Sequence, residues 1–226
     1  MIKDYILQQT NIELTDAMQD KFATYFDFLI EENGKYNLTA ITERENVYVK
    51  HFADSILGSV AIPLNANLVD IGSGAGFPSL PLKIVRHDIY VTLVDSLEKR
   101  INFTKSLCGK LDISAEFHHA RAEDFSKTYS ERFDVATARA VAPLQTLLEY
   151  VAQAVKINGI VLAYKTDESE LSAATNACKT LGLRHEHSYK FVLPDGSNRC
   201  LLTFRKTSHT PAKYPRGQNK PRKQPL

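Results

Sequence analysis

Residues 69–78 read Val-Asp-Ile-Gly-Ser-Gly-Ala-Gly-Phe-Pro, three glycines at alternate positions directly after an apolar run. Small residues at the end of a strand let a ligand lie close against the backbone and let the chain turn tightly into a helix. The spacing is G-x-G-x-G, not the G-x-G-x-x-G of dinucleotide binders, whose pyrophosphate needs a helix N-terminus close by. Gly72, Gly74, Gly76 and Phe77 are therefore candidates to hold a ligand without a phosphate, and Asp70 suits a ligand that carries positive charge. The same residues also suit a purely structural glycine-rich turn.

Two further features favour the ligand. Asp95 ends a second apolar run, where a carboxylate can accept hydrogen bonds from two ribose hydroxyls. Either Asp95 or Ser96 also fits a helix cap. Ala122 and Glu123 follow a third run and can meet an adenine edge through a backbone amide or a carboxylate, although acids are common in any first helical turn. A glycine turn, a ribose acid and an adenine contact at the ends of three successive strands describe an S-adenosylmethionine site.

After a fourth run comes Arg139, able to bind a phosphate, a guanine edge or the cofactor's carboxylate, or to sit in a surface ion pair. The Asp/Asn-Pro-Pro-aromatic tetrad of exocyclic amino-group methylation is absent here. Pyrimidine C5 methylation needs a cysteine nucleophile, and Cys108, Cys178 and Cys200 are poorly placed for it. A target such as guanine N7, which loses no proton on methylation, needs only positioning. No general base is then required, and Arg139 is a candidate positioning residue.

These residues must be held by alternating strands and helices. Strands are expected at 68–71, 90–94, 115–119, 133–138 and 159–164. Helices are expected at 78–86, 97–111, 143–156 and 168–181, with a final hairpin of 184–193 and 199–205. Ahead of them, residues 1–64 read as helical: Met18, Phe22, Tyr25, Phe26 and Leu29 share one helical face, and Val49, Phe52, Ala53, Ile56 and Val60 another. Thr42 with Glu45 fits a capping box. The expected architecture is α/β, a class I S-adenosylmethionine-dependent methyltransferase with a Rossmann-like, mostly parallel seven-stranded sheet. It divides into a helical extension (1–64), the core (65–206) and a basic, proline-rich tail (207–226).

The 226 residues contain no apolar run long enough for a membrane span, no signal-peptide pattern, and no cysteine spacing of a zinc site or disulfide framework. A cytoplasmic monomer without metal is expected. From Arg205 onward seven residues are basic and none is acidic, leaving a net-acidic body. Prolines 211, 215, 221 and 225 should keep this tail extended, able to follow a phosphate backbone with Tyr214 free to stack on a base.

The chain resembles the bacterial 16S rRNA guanine-N7 methyltransferases of the RsmG/GidB family, nearly continuously over residues 36–164. The resemblance rests on Tyr36-Asn-Leu-Thr-Ala-Ile, His51-Phe-Ala-Asp-Ser-Ile, residues 69–78 and 91–103, Arg121-Ala-Glu and Thr137-Ala-Arg-Ala-Val-Ala. It implies cofactor contacts at Gly72, Phe77, Ala122, Glu123 and Arg139, and a target guanine in the decoding region of the small ribosomal subunit. The family's Lys-Gly after the fifth strand is Lys165-Thr166 here, and its C-terminal Tyr-Pro-Arg-Lys-x-Gly-x-Pro is Tyr214-Pro-Arg-Gly-Gln-Asn-Lys-Pro. Asn37, Lys165, Lys213, Arg216, Lys220, Arg222 and Lys223 are the candidate RNA contacts. His51 and Asp54 read as polar positions on an amphipathic helix, and Lys99-Arg100 as a solvated helix face. A methyltransferase acting on another RNA, a small molecule or a protein, an NAD-dependent oxidoreductase, and an RNA-assembly factor without catalysis are the competing readings.

Overall fold

The computed structural model describes residues 2–226. Helices α1 (Ile2–Thr10) and α2 (Asp16–Tyr36) come first. A helical run follows whose pitch changes along its length: α3 (Arg44–Val47), a π segment (Tyr48–Ala53), α4 (Asp54–Ile56) and a 3-10 segment (Leu57–Ala61). The core then alternates β1 (Asn67–Ile71), α5 (Ser79–Val85), β2 (Tyr90–Asp95), α6 (Glu98–Leu111), β3 (Glu116–His119), α7 (Ala122–Thr128), β4 (Phe133–Arg139), α8 (Leu144–Val151), β5 (Val155–Lys165) and α9 (Thr175–Leu181). Strands β6 (Leu183–Val192) and β7 (Asn198–Lys206) and helix α10 (Lys220–Lys223) complete it.

The seven strands lie in the order β3-β2-β1-β4-β5-β7-β6. Strands β1 to β5 are parallel, and β7 pairs antiparallel with both β5 and β6. The chain runs outward from β1 to β3 and then returns to β4, so strand order reverses between β1 and β4. In an open α/β sheet the ligand crevice opens at the carboxyl ends of the strands at such a point.

Side chains of a strand alternate between faces, and both faces are covered here. Leu68, Val135, Leu162 and Tyr164 join one apolar cluster with Phe22, Tyr25, Leu29, Phe52 and Ile56 of the N-terminal helices. Val69, Ile71, Ala136, Ala138, Val161 and Ala163 join the other, with Leu144, Leu147 and Leu148 of α8. The N-terminal helices thus share a hydrophobic core with the sheet.

Several local expectations are corrected. Thr42 does not cap: α3 starts after Glu43, whose carboxylate accepts from the Asn46 side chain at 2.7 Å. The helix expected to reach residue 156 stops at Val151, because residues 153 to 155 pair with the start of β4; Glu131 N donates to Gln153 O at 2.8 Å and Phe133 registers with Val155. The helix expected from residue 168 begins only at Thr175. Side chains in the preceding segment compete with helical bonding: Asp167 accepts from Ser169 N, and Glu170 reaches away to Leu144 N.

The tail is not extended and free. Tyr214 is buried, and Arg216 meets the fully buried Glu149 of α8 with a two-pronged contact of 2.9 and 2.6 Å. Thr146 also donates to Pro221 O at 2.8 Å. A buried carboxylate that, among the described residues, has no other ion-pair partner draws the arginine in, which composition alone does not reveal. Tyr214 is therefore unavailable for base stacking, and Arg216 is not a free RNA contact.

Candidate cofactor site

A cavity of about 670 Å³ opens at the carboxyl ends of β1, β2 and β4. Its floor is the glycine turn after β1. Gly72 and Gly74 have φ of +78° and +57°, a region L side chains rarely adopt. A Cβ on Gly72 would stand 2.7 Å from Val141 of the β4 loop, whereas Gly74 faces almost open space. Gly72 thus lets two loops approach, and Gly74 leaves the floor bare. Gly76 lines no part of the cavity; its missing Cβ makes room for Leu80 and the Tyr25 hydroxyl, so its role is packing.

Asp70 is likewise corrected. It is wholly buried, its Oδ2 accepts from Ser79 N at 3.2 Å at the start of α5, and it does not line the cavity. Burial pushes its carboxyl up to about 7. It holds the turn from beneath and faces no ligand.

Asp95 does line the cavity, and it is also structural. Oδ2 accepts from Gly74 N at 3.0 Å and lies 3.3 Å from Arg100, while Oδ1 accepts from Leu97 N at 2.9 Å. A carboxylate offers about four acceptor positions, so about one remains for a ligand hydroxyl. The cap and ligand readings of Asp95 therefore coexist. Arg100, expected on a solvated face, is instead a wall of the cavity beside Asp95; Lys99 is exposed. Ser96, Ala122 and Glu123 line the same side, and Glu123 is buried.

Arg139 enters from the end of β4. Its Nη1 donates to Lys50 O at 3.1 Å and to Asp54 Oδ2 at 2.8 Å, its Nη2 lies 3.1 Å from His51 Nδ1, and its guanidinium lies over the Phe77 ring. Arginine only donates, so Nδ1 of His51 accepts and Nε2 carries the proton, which it directs to Thr39 Oγ1 at 2.8 Å. The imidazole stacks on Phe77 with ring centroids 4.6 Å apart. Burial, then the Arg139 charge, hold His51 down to about 3. Asp54, buried, also pairs with Arg199 of β7 at 3.1 Å.

His51 and Asp54, read in the sequence as polar positions on a helix, thus belong to the cluster around Arg139, and His51 with Leu38 and Thr39 lines the cavity. Asn37, favoured in the sequence, is the exposed left-handed C-cap of α2 at φ 50°. The turn it begins is clamped by Asn33, whose Oδ1 accepts from Leu38 N and Thr39 N at 2.7 and 2.9 Å. Lys165 is tied to Glu170 at 2.8 Å and donates to Ala142 O, so it is not a free cation for phosphate. Lys213, Lys220 and Lys223 are exposed; Asn219 and Arg222 line the cavity, a placement the sequence reading missed. None of the three cysteines lines it. Among the described residues no His/Cys/Asp/Glu group could hold a metal, and no helix is long and apolar enough to cross a membrane.

Known methyltransferases share this fold. A methyltransferase from Pyrococcus furiosus superposes with a TM-score of 0.56 at 15% identity, over 84% of this chain and 99% of that one. The YcgJ protein from Bacillus subtilis gives 0.54 at 13% identity, over 70% of this chain and 100% of that one. Both share the fold. Ribosomal RNA small subunit methyltransferase G of Streptococcus gordonii is 45% identical, with 98% of this chain and 97% of that protein covered. That of Streptococcus agalactiae serotype III is 44% identical with the same coverage. The family model GidB, rRNA small subunit methyltransferase G, matches residues 18–198, which run from the first turn of α2 to the start of β7 and include the glycine turn, Asp95, Glu123 and Arg139. On both counts the chain belongs to the rRNA small subunit methyltransferase G family.

Proposed function

We propose that this protein transfers the methyl group of S-adenosylmethionine to N7 of a guanine in 16S rRNA, in the decoding region of the small ribosomal subunit, as a cytoplasmic monomer. The observation that carries the reading is the cavity at the strand-order reversal, with a bare glycine floor and an acid with an acceptor position to spare.

The residues present fit the cofactor. Gly74 leaves space against the backbone, Asp95 retains an acceptor for a ribose hydroxyl, and Ala122 with Glu123 on the cavity wall offers a backbone amide and a carboxylate suited to an adenine edge. Bound there, S-adenosylmethionine supplies an electrophilic methyl on a sulfonium. The chain's own residues contribute orientation and exclusion of water. Arg139, locked by Asp54 and His51, presents remaining guanidinium donors to an anionic or guanine-edge acceptor. His51 has its Nδ1 lone pair engaged by Arg139 and its Nε2 proton by Thr39, so it offers no free basic nitrogen to the substrate. A nitrogen with an in-plane lone pair needs none, which is why N7 suits this site better than an amino group or a pyrimidine carbon.

The names carried by the streptococcal relatives support the RNA substrate. The exposed Lys213, Lys220 and Lys223 remain the basic groups offered to its phosphates. Mass-spectrometric mapping of methylated nucleosides in 16S rRNA, with and without the protein, tests the reading. A 7-methylguanosine that depends on the protein is expected, and an unchanged methylation map overturns it.

A further inference from the structure

The segment after β7 closes back on the cofactor cavity. It is anchored on α8 by Arg216, which meets Glu149 through its backbone N (2.9 Å), Nε (2.9 Å) and Nη2 (2.6 Å), and by the buried Tyr214. Beyond that anchor, Asn219 and Arg222 become part of the cavity lining. Arg222 Nη2 donates to Val141 O at 2.7 Å, in the loop that also approaches Gly72. Helix α10 packs on α8, and α8 packs on α7, where Ser126 donates to Tyr150 O at 2.6 Å; Glu123, Tyr150 and Arg222 all line this part of the cavity.

We propose that residues 211–226 are a wall of the cofactor site, with Arg222 and Asn219 binding the adenosyl end of S-adenosylmethionine. The chemistry matches: purine ring nitrogens accept hydrogen bonds, and Arg222 has five N–H donors of which one holds Val141 O. Asn219 offers both a donor and an acceptor. Its backbone is left-handed, at φ 58°, and it lines the cavity at the turn before α10. The inference rests on the cofactor assignment above and extends it to a part of the chain that composition marks only as a basic tail.

Calorimetry of full-length protein with S-adenosylmethionine tests it. Arg222→Ala is expected to weaken binding roughly tenfold or more, since a hydrogen bond from a charged donor is lost. Asn219→Gly, which keeps the left-handed backbone, should weaken it severalfold. Gln224→Ala, an exposed neighbour that does not line the cavity, should bind as the parent does. In the parent protein, the cofactor should also slow amide exchange at Lys220, Lys223 and Gln224, whose N–H groups hold the last turn. Unchanged affinity in both variants, or unchanged exchange at those amides, overturns the wall while leaving the cofactor assignment standing. Failure of the parent protein to bind S-adenosylmethionine overturns the assignment itself.

Discussion

Asp54 and Arg139 are 85 residues apart in sequence and 2.8 Å apart in space, in a pair that ties the loop after β4 to the N-terminal helical run. Arg199 of β7 shares the same carboxylate at 3.1 Å. Removing one partner of a buried pair leaves the other charge uncompensated, at a cost of about 3–5 kcal/mol. Asp54→Ala is therefore expected to lower unfolding free energy by that order in urea titration, and Asp54→Asn by less. Arg139→Lys should reduce turnover and also lower the melting temperature, because lysine cannot serve Lys50 O, Asp54 and His51 together. A variant that melts like the parent would contradict the shared structural role.

Asp95→Ala is expected to act twice. Loss of the hydroxyl acceptor should weaken S-adenosylmethionine binding by about 1.5–3 kcal/mol. Loss of the bonds from Gly74 N and Leu97 N should loosen the glycine turn and the start of α6 and lower stability as well. Calorimetry and thermal melting on the same preparation separate the two effects. Weakened stability with unchanged affinity would make Asp95 a cap alone.

The Arg216–Glu149 contact makes the tail part of the fold. Arg216→Met strands a fully buried carboxylate and is expected to cost about 3–5 kcal/mol. Adding Glu149→Met to Arg216→Met should recover most of that loss in chemical denaturation, since the buried charge is then gone. No recovery would locate the cost elsewhere in the tail.

Asp70 gives a pH signature. Its folded carboxyl titrates at about 7 against an ordinary value of 3.8, so its contribution is full below 3.8 and is lost as pH rises toward 7. Asp70→Asn lacks this loss. The variant's stability relative to the parent is therefore expected to rise between pH 4 and 7, by up to about 1.4 kcal/mol per pH unit, and to level off above. His51, displaced in the opposite direction, affects both proteins alike and cancels in the difference. A flat difference across that window would show that Asp70 is ionised throughout.

The glycine turn, Asp95 and Ala122-Glu123 were legible because each lies where a strand hands over to a helix, a junction written in consecutive residues. Arg139 was legible for the same reason. His51 and Arg100 were not, because their partners are remote: the imidazole finds Phe77 and Arg139 only once the N-terminal run lies on the sheet, and Arg100 turns inward because Asp95 is buried five residues before it. The tail was misread for a related reason. Glu149 sits inside an otherwise apolar helical stretch, and nothing local tells that its counter-charge arrives 67 residues later. Gly76 shows the converse, a glycine in the right motif whose absent side chain serves Tyr25 and Leu80.

Residues far apart in sequence face the same cavity: Leu38, Thr39 and His51 from one side and Asn219 and Arg222 from the other. A ribosome makes the first group long before the second. The glycine turn, Asp95 and Arg139 can take their places on the sheet while translation continues, but Asn219 and Arg222 emerge only after all seven strands. A nascent product that has reached β7 therefore carries the sheet and the turn with one side of the pocket still open.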